Sequence, residues 1–557
     1  MEYITRNIDV ILAVCLGLFW SIFIYACGLG FSPDSTHYMA NALNMHHAFD
    51  FSNFSLTVIP LWPPFYAFLL NLFMFFNVFP AEAAALLSGF SMLLLLVILT
   101  LILKKFSKNL LLNILFLLTL FTLTGFLDSY LFVMSESPFA LFLILHVYFL
   151  VKHNETQQVK YYVLAAIFVS LATLTRYMGY SLIVTFFIYT IYFLVKLSKQ
   201  KNTSKNQYLL WNQYLLLNSL TYLPIILYLI RNYFISRTFH GNREPAELSI
   251  FQNLHRVVEV FTSDFSVFLL ILLLISLIFY VFIIKNRKQL AINHSLLALS
   301  YIFAFIVIYT IMLVYTTSQV IVNPISTRYF SPIYFAFFLF IFISFNSILR
   351  LLSVNHINKK YYHFWQIVLY LFISITLIIN IKNYAQLINN ISHKQEATAY
   401  YSDIGFKLST TSKNLNEYFD KIFTHQDKLY VSFLSHNEYV VEGTFFFRPF
   451  VTSSKFSHFS FKNVKNHWWT NFTISFSSNN QNKTLHYVKM DSYLKGGKLF
   501  VKAIRHTLSK EKIDSLKLIA DKRWQNKRLS RFSTKRVQIT LEKKIEPYLI
   551  YQVAIKP

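Results

Sequence analysis

Residues 82–108 read EAAALLSGFSMLLLLVILTLILKKFSK, and this stretch decides how the chain is built. Its first part, 82–103, is long and apolar enough to cross a bilayer, since about 20 helical residues span the hydrocarbon. Lys104, Lys105 and Lys108 follow directly. Clusters of basic residues mark the cytoplasmic side of a membrane. The stretch therefore predicts a spanning helix together with its direction.

The composition of the whole chain agrees with a membrane protein. Of its 557 residues, 55% are hydrophobic and only 14% are charged, against about 25% charged in soluble proteins. The net charge of +26 is scattered between apolar runs, which favours anionic lipid over nucleic acid as its partner. Cys15 and Cys27 both lie in the first apolar run, where packing is a simpler role than a disulfide.

Similar apolar runs predict about eleven transmembrane helices. They are 8–29, 82–103, 109–127, 133–151, 160–176, 180–196, 209–231, 264–284, 291–315, 330–350 and 363–381. Four more basic turns follow spans of this set, at 152–153, 196–205, 285–288 and 350–360. All the basic turns face the cytoplasm if the N-terminus does. An odd number of spans then places the C-terminal region on the outer side.

One further apolar run, 59–79, does not fit this threading as a span. Counting it as a crossing would put Lys104 and Lys105 outside and invert every later loop. Pro60, Pro63 and Pro64 interrupt it, and proline breaks helices. We therefore predict interfacial helices at about 59–80, with an ordinary twelfth span as the alternative.

The sequence becomes more polar after about residue 382. Alternating apolar residues predict strands at 428–433 and 536–541, and helices are predicted at 406–423 and 510–523. The predicted organisation is a transmembrane domain at 1–382 and a soluble, extracytoplasmic α/β domain at 383–557. No phosphate-binding loop and no zinc-type Cys/His spacing occurs in the sequence.

The loops assigned to the outer side carry isolated acids and arginines. The acids are Asp34, Asp128 and Glu136, and the basic residues are Arg176, Arg231, Arg243, Arg328 and His240. Guanidinium groups bind phosphate, and a carboxylate can take a proton from an attacking hydroxyl. If these groups surround one cavity, they would serve group transfer from a lipid phosphate.

Each of these residues also has a purely structural interpretation. Asp34 is suited to cap a helix, and Glu136 complements a helix dipole. The arginines are suited to anchor helix ends at the headgroups, although outward arginines run against the usual charge bias. Trp62 and Tyr66 fit an interfacial aromatic belt.

The order of short motifs nevertheless resembles one family. An acid with a tyrosine follows the first span (Asp34, Tyr38), and Pro63-Pro64-Phe65-Tyr66, Asp128, Ser135-Glu136, Leu174-Thr175-Arg176-Tyr177-Met178-Gly179, Arg231-Asn232-Tyr233 and Arg328-Tyr329 come after it. Over residues 8–350 this resembles the GT-C superfamily of polytopic membrane glycosyltransferases. It is most similar to the bacterial relatives of protein O-mannosyltransferases and of the aminoarabinose transferase of lipid A.

The resemblance implies a GT-C fold and an inverting sugar transfer from a polyprenyl-phosphate donor to a hydroxyl of an envelope glycan, lipid or protein. It implies that Asp34 is the general base and that Asp128 and Glu136 position the sugar or its acceptor. The donor phosphate would be held by Arg176, Arg231, His240, Arg243 and Arg328. The substrate groove would be formed by His37, Tyr38, Trp62, Pro63, Pro64 and Tyr66. The expected location is a bacterial inner (plasma) membrane.

The family's metal-binding pattern is missing here. Some members carry Asp-x-Asp or Glu-x-Asp in the first outer loop, whereas Ser35 and Thr36 follow Asp34. We therefore expect no catalytic metal and no other cofactor, with arginine neutralising the donor phosphate.

Two other functions remain open at this point. A transporter or flippase of lipid-linked sugars would also need a charged cavity, but it would favour inverted repeats and broken helices. A non-catalytic envelope assembly protein would keep its function after Asp34→Asn. An enzyme would lose it.

Overall fold

The computed structural model describes the chain in segments. They are residues 7–30, 33–48, 62–78, 80–199, 205–241, 245–285, 293–320, 325–354, 359–392, 428–434, 457–465, 469–478, 481–490, 515–521, 537–545 and 548–555. By internal contacts the chain divides into two units. One comprises 1–29, 60–66 and 84–393, and the other comprises 30–59, 67–83 and 394–557.

The described residues up to 392 are mostly helical. The helices are α1 Ile8–Cys27, α2 Pro33–Ala48, α3 Phe65–Met74, α4 Pro80–Phe106, α5 Leu110–Phe121, α6 Thr124–Leu127, α7 Glu136–Thr156, α8 Val159–Thr175, α9 Tyr180–Lys199, α10 Lys205–Ser236, α11 Ile250–Asp264, α12 Val267–Lys285, α13 Asn293–Gln319, α14 Thr327–Phe330, α15 Tyr334–Val354 and α16 Lys359–Ser392. Short 3₁₀ turns occur at Asp128–Tyr130, Tyr177–Gly179 and Ser331–Ile333.

The prediction of a polytopic helical membrane protein is confirmed. Within the described segments, eight helices are long and apolar enough to cross a membrane, or nine if α5 and the bent stretch Thr124–Tyr130 form one broken span. Each of the eleven predicted spans coincides with a helix. Three of them are not among the eight: the run at 109–127, which forms the bent pair, and the runs that coincide with α7 and α8.

The apolar run at 59–79 forms one short helix in its described part. Helix α3 has ten residues, which reach about 15 Å, half of the hydrocarbon thickness. The alternative of an ordinary twelfth span is therefore not supported. Its position at the membrane interface stays a prediction.

Close helix crossings fix the start of the helical unit. A Cβ at Gly17 of α1 would lie 2.6 Å from Leu93 Cα of α4, and one at Gly89 would lie 2.8 Å from Ser21 Cα. Small residues allow membrane helices to approach at this distance. The α1–α4 pair therefore depends on glycine at both crossings.

Two buried histidines tie α7 to its neighbours. His146 Nδ1 faces the Ala165 carbonyl oxygen at 2.9 Å and therefore carries the proton, so its Nε2 accepts from the Tyr301 hydroxyl at 2.5 Å. His153 lies between the hydroxyls of Tyr189 and Tyr214, each at 3.0 Å. These bonds satisfy polar groups that apolar packing alone would leave unpaired.

The C-terminal residues form a seven-stranded mixed sheet. Its strands are β1 Lys428–Leu434, β2 Ser457–Lys465, β3 Trp469–Ser478, β4 Gln481–Met490, β5 Ser515–Asp521, β6 Val537–Ile545 and β7 Tyr548–Ile555. Their order is β2-β3-β4-β1-β5-β7-β6. Strand β1 pairs parallel with β4 and β5, and the other pairs are antiparallel.

The sheet tests three of the sequence predictions. The strands predicted at 428–433 and 536–541 are confirmed as β1 and β6. The helix predicted at 510–523 is wrong, because its centre is β5, which pairs with β1 and β7. The alternating Leu516-Lys517-Leu518 fits that pairing, and sheet pairing overrides helix propensity. The helix predicted at 406–423 lies outside the described residues.

Candidate functional site

An ion cluster lies at one end of the helical unit, around the first residue of α7. Glu136 is 1% exposed. Its Oε1 accepts from Arg176 Nη1 at 2.6 Å and from Arg328 Nε at 2.7 Å. Both arginines are therefore turned inward to a buried carboxylate, which differs from the arrangement expected of lipid anchors.

The cluster forms because two turns return the chain to α7. Arg176 leaves α8 in an extended conformation, with φ −147°. The chain then folds back so closely that a Cβ at Gly179 would lie 2.5 Å from Thr173 Cα. The glycine of the Leu-Thr-Arg-Tyr-Met-Gly motif therefore permits the turn that aims Arg176.

The carboxylate of Glu136 is used asymmetrically. Oε1 takes both arginines, whereas Oε2 is buried and has no hydrogen-bond partner among the described residues. A carboxylate held by two guanidinium groups is a poor proton acceptor, because protonation would break both ion pairs. The geometry therefore suits Glu136 to orienting the arginines and accepting a hydrogen bond, rather than to acting as the base.

Two further carboxylates lie beside this cluster. Asp128 begins the 3₁₀ turn that follows α6, and Asp264 ends α11. Burial first and the Asp264 carboxylate second raise the pKa of Asp128 to about 7, while Arg328 opposes the rise. Burial also raises the pKa of Asp264, against hydrogen bonds from Tyr334 and Thr327. The net charge of the cluster therefore depends on a proton at Asp128.

A second group of candidate residues surrounds the end of α10. The Tyr228 hydroxyl donates to the Trp62 carbonyl oxygen at 3.0 Å, and the Arg231 guanidinium lies 5.8 Å from the Tyr228 ring centroid. His240 Nε2 lies 2.9 Å from the Tyr180 hydroxyl. The structure therefore places Trp62, Arg231 and His240 against one set of tyrosines.

The aromatic groove segment is seated in the same helical unit. Pro63 and Tyr66 are buried, while Trp62 and Pro64 are partly exposed. The Phe65 ring packs on Phe142 of α7 at 5.8 Å between centroids. This contact fixes the Pro-Pro-Phe-Tyr motif to the helix that begins with Glu136.

Asp34, His37 and Tyr38 belong to the other unit and are described by themselves. They lie on α2 at positions that share one helix face. Since α2 begins at Pro33, Asp34 is its second residue and is not the N-cap. Tyr38 is buried and Asp34 is partly buried. Arg243 lies outside the described residues.

Sequence reasoning missed Asp264 and Tyr334. Asp264 was counted as the first residue of the predicted span 264–284, although α12 begins only at Val267. Its signal was available, because it is an isolated acid in an outer loop like Asp128. Tyr334 carried no signal, since one tyrosine in an aromatic-rich span does not stand out.

The described residues contain no group of three or more His, Cys, Asp or Glu side chains arranged to hold a metal ion. The acids of the cluster are instead interleaved with Arg176 and Arg328.

Comparison with known proteins points to one class. Residues 11–240 match the family model of dolichyl-phosphate-mannose-protein mannosyltransferase, which is less than half of the chain. A search of curated protein sequences found no significant match.

Solved structures share the fold over nearly the whole chain. The apo structure of ArnT from Cupriavidus metallidurans matches at 10% identity with a TM-score of 0.54, covering 98% of this chain and 97% of that one. ArnT from the same organism bound to undecaprenyl phosphate matches at 11% identity with a TM-score of 0.54, covering 98% of each chain. The archaeal oligosaccharyltransferase AglB from Archaeoglobus fulgidus matches at 11% identity with a TM-score of 0.48, covering 93% of this chain and 70% of that one.

The fold is therefore that of the GT-C glycosyltransferases. Together with the family match over residues 11–240, this fold confirms the resemblance to the GT-C superfamily that the motifs carry.

Proposed function

We propose that the protein transfers a sugar from a polyprenyl-phosphate donor to a hydroxyl acceptor in the cell envelope, on the outer face of the membrane. The observation that carries this proposal is Glu136 held between Arg176 and Arg328 at 2.6 and 2.7 Å. The acceptor is an envelope glycan, lipid or protein, and the membrane is a bacterial plasma membrane.

The reaction is a single displacement. The acceptor oxygen attacks the anomeric carbon of the donor, and the bond from that carbon to the phosphate oxygen breaks. The acceptor proton passes to the Asp34 carboxylate, and polyprenyl phosphate leaves with the bonding electron pair. Attack opposite the leaving group inverts the anomeric carbon.

The arginines serve the leaving group. Polyprenyl phosphate gains a negative charge as the glycosidic bond breaks, and guanidinium groups bind phosphate oxygens in a geometry suited to that charge. Arg176 and Arg328 already lie at one carboxylate, so the site pays little orientation entropy when the donor binds. Arg231 and His240, on the tyrosines near Trp62, extend the binding surface, with Arg243 as a further predicted phosphate ligand.

The carboxylates divide the remaining work. Glu136 orients the two arginines and offers Oε2 to a substrate hydroxyl. Asp128 modulates the charge of the site through its proton. His37 and Tyr38, on the helix of Asp34, contact the substrate together with the 62–66 segment.

The test compares envelope lipids and glycans by mass spectrometry in cells with and without the gene. We expect one sugar-sized mass increment to disappear and to return with the wild-type gene. Asp34→Asn should restore less than about one part in 10² of it, because a general base contributes about 10²–10⁴-fold. Asp9→Asn, the same change in a buried carboxylate at the opposite end of the helical unit, is the matched control.

Other outcomes separate the alternatives. Full restoration by Asp34→Asn would contradict the enzyme and favour an assembly protein. Accumulation of the lipid-linked sugar on the cytoplasmic face would indicate a transporter or flippase.

A further inference from the structure

Asp264 is the one acid of the cluster that the proposed chemistry does not use. It ends α11, and each of its carboxylate oxygens accepts a hydrogen bond from the segment 327–334. Oδ1 accepts from Thr327 Oγ1 at 3.0 Å, and Oδ2 accepts from the Tyr334 hydroxyl. Asp264 therefore holds this segment near both of its ends.

The segment 327–334 is the one that carries Arg328. It consists of the single turn α14, the 3₁₀ turn Ser331–Ile333 and the start of α15. Such short turns contribute little helical stability of their own. Their orientation must come from external bonds, and the Tyr309 hydroxyl adds one by donating to the Tyr329 carbonyl oxygen at 2.6 Å.

Asp264 is presented by a firmly placed helix. Helix α11 begins with a capping box between Ser249 and Gln252. Asn253 Nδ2 donates to Ser318 Oγ of α13 at 2.8 Å, and Val257 and Val260 are buried. The helix is therefore fixed independently of the segment that it holds.

The chain also leaves room for these contacts. A Cβ at Gly125 would lie 2.8 Å from Tyr334 Cε2 and 3.1 Å from Asp264 Oδ2. Any larger residue at this position would push the tyrosine or the carboxylate aside.

We propose that Asp264 is a positioning residue, which holds the segment 327–334 so that Arg328 keeps the pose in which it meets Glu136 and the donor phosphate. This inference rests on the proposed function, since it takes Arg328 as a phosphate ligand.

Electrostatics alone predicts the opposite effect of removing Asp264. Deleting a negative charge near Arg328 should strengthen the binding of an anion. A positioning role predicts weaker binding, because Arg328 would then have to be ordered when the ligand binds. The sign of the change therefore discriminates between the two.

The experiment measures the dissociation constant of undecaprenyl phosphate for the purified full-length protein in detergent. We expect Asp264→Asn to weaken binding about tenfold. The neutral changes Thr327→Val and Tyr334→Phe should each weaken it severalfold, since each removes one of the two bonds. Glu259→Gln is the matched control, because it makes the same carboxylate-to-amide change on an exposed residue of α11, and it should leave the constant unchanged.

A double-mutant cycle separates a positioning role of Asp264 from a general destabilisation of the protein. Thr327→Val should cost little more once Asp264→Ala is present, because Asp264→Ala already removes the bond from Thr327. Unchanged or tighter binding by Asp264→Asn, or fully additive losses, would overturn the inference. If Asp264→Asn does not fold, the Thr327→Val/Tyr334→Phe double variant decides, with weaker binding as the supporting result and unchanged binding as the contrary one.

The same measurement separately tests the assignment of Arg328 as a ligand of the donor phosphate. Arg328→Ala should lose binding by more than any Asp264 variant. Equal binding by wild type and Arg328→Ala would show that the proposed phosphate site is wrong, whatever the Asp264 variants do.

Discussion

The two ends of the helical unit each bury a carboxylate, and they satisfy it differently. At one end Asp9, 2% exposed, pairs with Lys104 at 3.0 Å. Its Oδ1 also accepts from the Val10 amide at 3.0 Å, and its Oδ2 accepts from Asn113 Nδ2 at 3.2 Å. At the other end Glu136 receives two arginines on one oxygen.

The difference distinguishes a structural ion pair from a candidate site. Asp9 has both oxygens bonded, so its surroundings are complete without any ligand. Glu136 gathers two cations and keeps one oxygen without a hydrogen-bond partner among the described residues. Incomplete satisfaction of a buried polar group is costly, and a substrate that supplies the missing bond removes that cost.

The largest effect is expected when the same carboxylate-to-amide change is made at both ends of the helical unit. We expect Glu136→Gln to lower sugar transfer at least about 10²-fold, because both arginines lose their charged partner. Asp9→Asn should change transfer by less than about threefold. The measurement is the restored sugar signal per unit of folded protein. Equal losses in the two variants would contradict the assignment of Glu136.

The structural role of the Asp9–Lys104 pair is tested by thermal stability in detergent. Lys104→Met leaves the buried Asp9 carboxylate without its cation, although its bonds from the Val10 amide and Asn113 remain, and an uncompensated buried charge is strongly destabilising. We expect a clear fall in Tm with little loss of activity per folded molecule. Lys105→Met is the control, since its pair with Glu155 is partly exposed on both sides and such pairs contribute about 0–1 kcal/mol. Equal Tm values for the two variants would refute a structural role for the Asp9 pair.

The charge of the site should also depend on pH. The pKa of Asp128 is raised to about 7 by burial and by Asp264. Below this value Asp128 is neutral, and above it the added negative charge opposes an anionic ligand. The dissociation constant of undecaprenyl phosphate should therefore rise severalfold as the pH rises from 6 to 8.

Asp128→Asn supplies the test of that dependence. The step in its dissociation constant near pH 7 should disappear. The change that remains comes from ionisation of the ligand's own phosphate, which affects binding to Asp9→Asn equally. An unaltered pH profile in Asp128→Asn would mean that this carboxyl does not control the site.

The smallest effects are expected from added methyl groups. Gly125→Ala presses on Tyr334 and Asp264, so it should weaken undecaprenyl phosphate binding a few-fold with a small change in Tm. Gly89→Ala meets the backbone of Ser21 at the α1–α4 crossing, so it should lower Tm with unchanged binding by the folded protein. Weaker binding by Gly89→Ala, together with a fall in Tm alone for Gly125→Ala, would contradict separate roles for the two ends of the helical unit.

Much of the fold was predictable because a bilayer imposes simple rules on length and polarity. All eleven apolar runs contain helix, although the run at 109–127 is bent into two helices. In the described part of the run at 59–79, α3 has only ten residues. Strand β5 was not predictable, because Ser515–Asp521 takes its structure from neighbouring strands that lie far away in sequence.

The candidate site was predictable in its charged residues and less so in its contacts. Isolated charges in apolar surroundings identified Glu136, Arg176 and Arg328. That both arginines share one carboxylate oxygen depends on the turns at Gly179 and Ser331, which only the folded chain shows. Asp264 was missed because the predicted span began three residues too early and included it.

The Glu136 oxygen Oε2, which has no hydrogen-bond partner among the described residues, has a consequence for substrate selectivity. A sugar or acceptor that lacks the hydroxyl facing Oε2 would leave a buried acceptor atom unsatisfied, at a cost of about 1–3 kcal/mol. Deoxy analogues would then be rejected although they are smaller and fit the same space. Selection would act through a bond that the wrong molecule cannot make, so steric exclusion would not be needed.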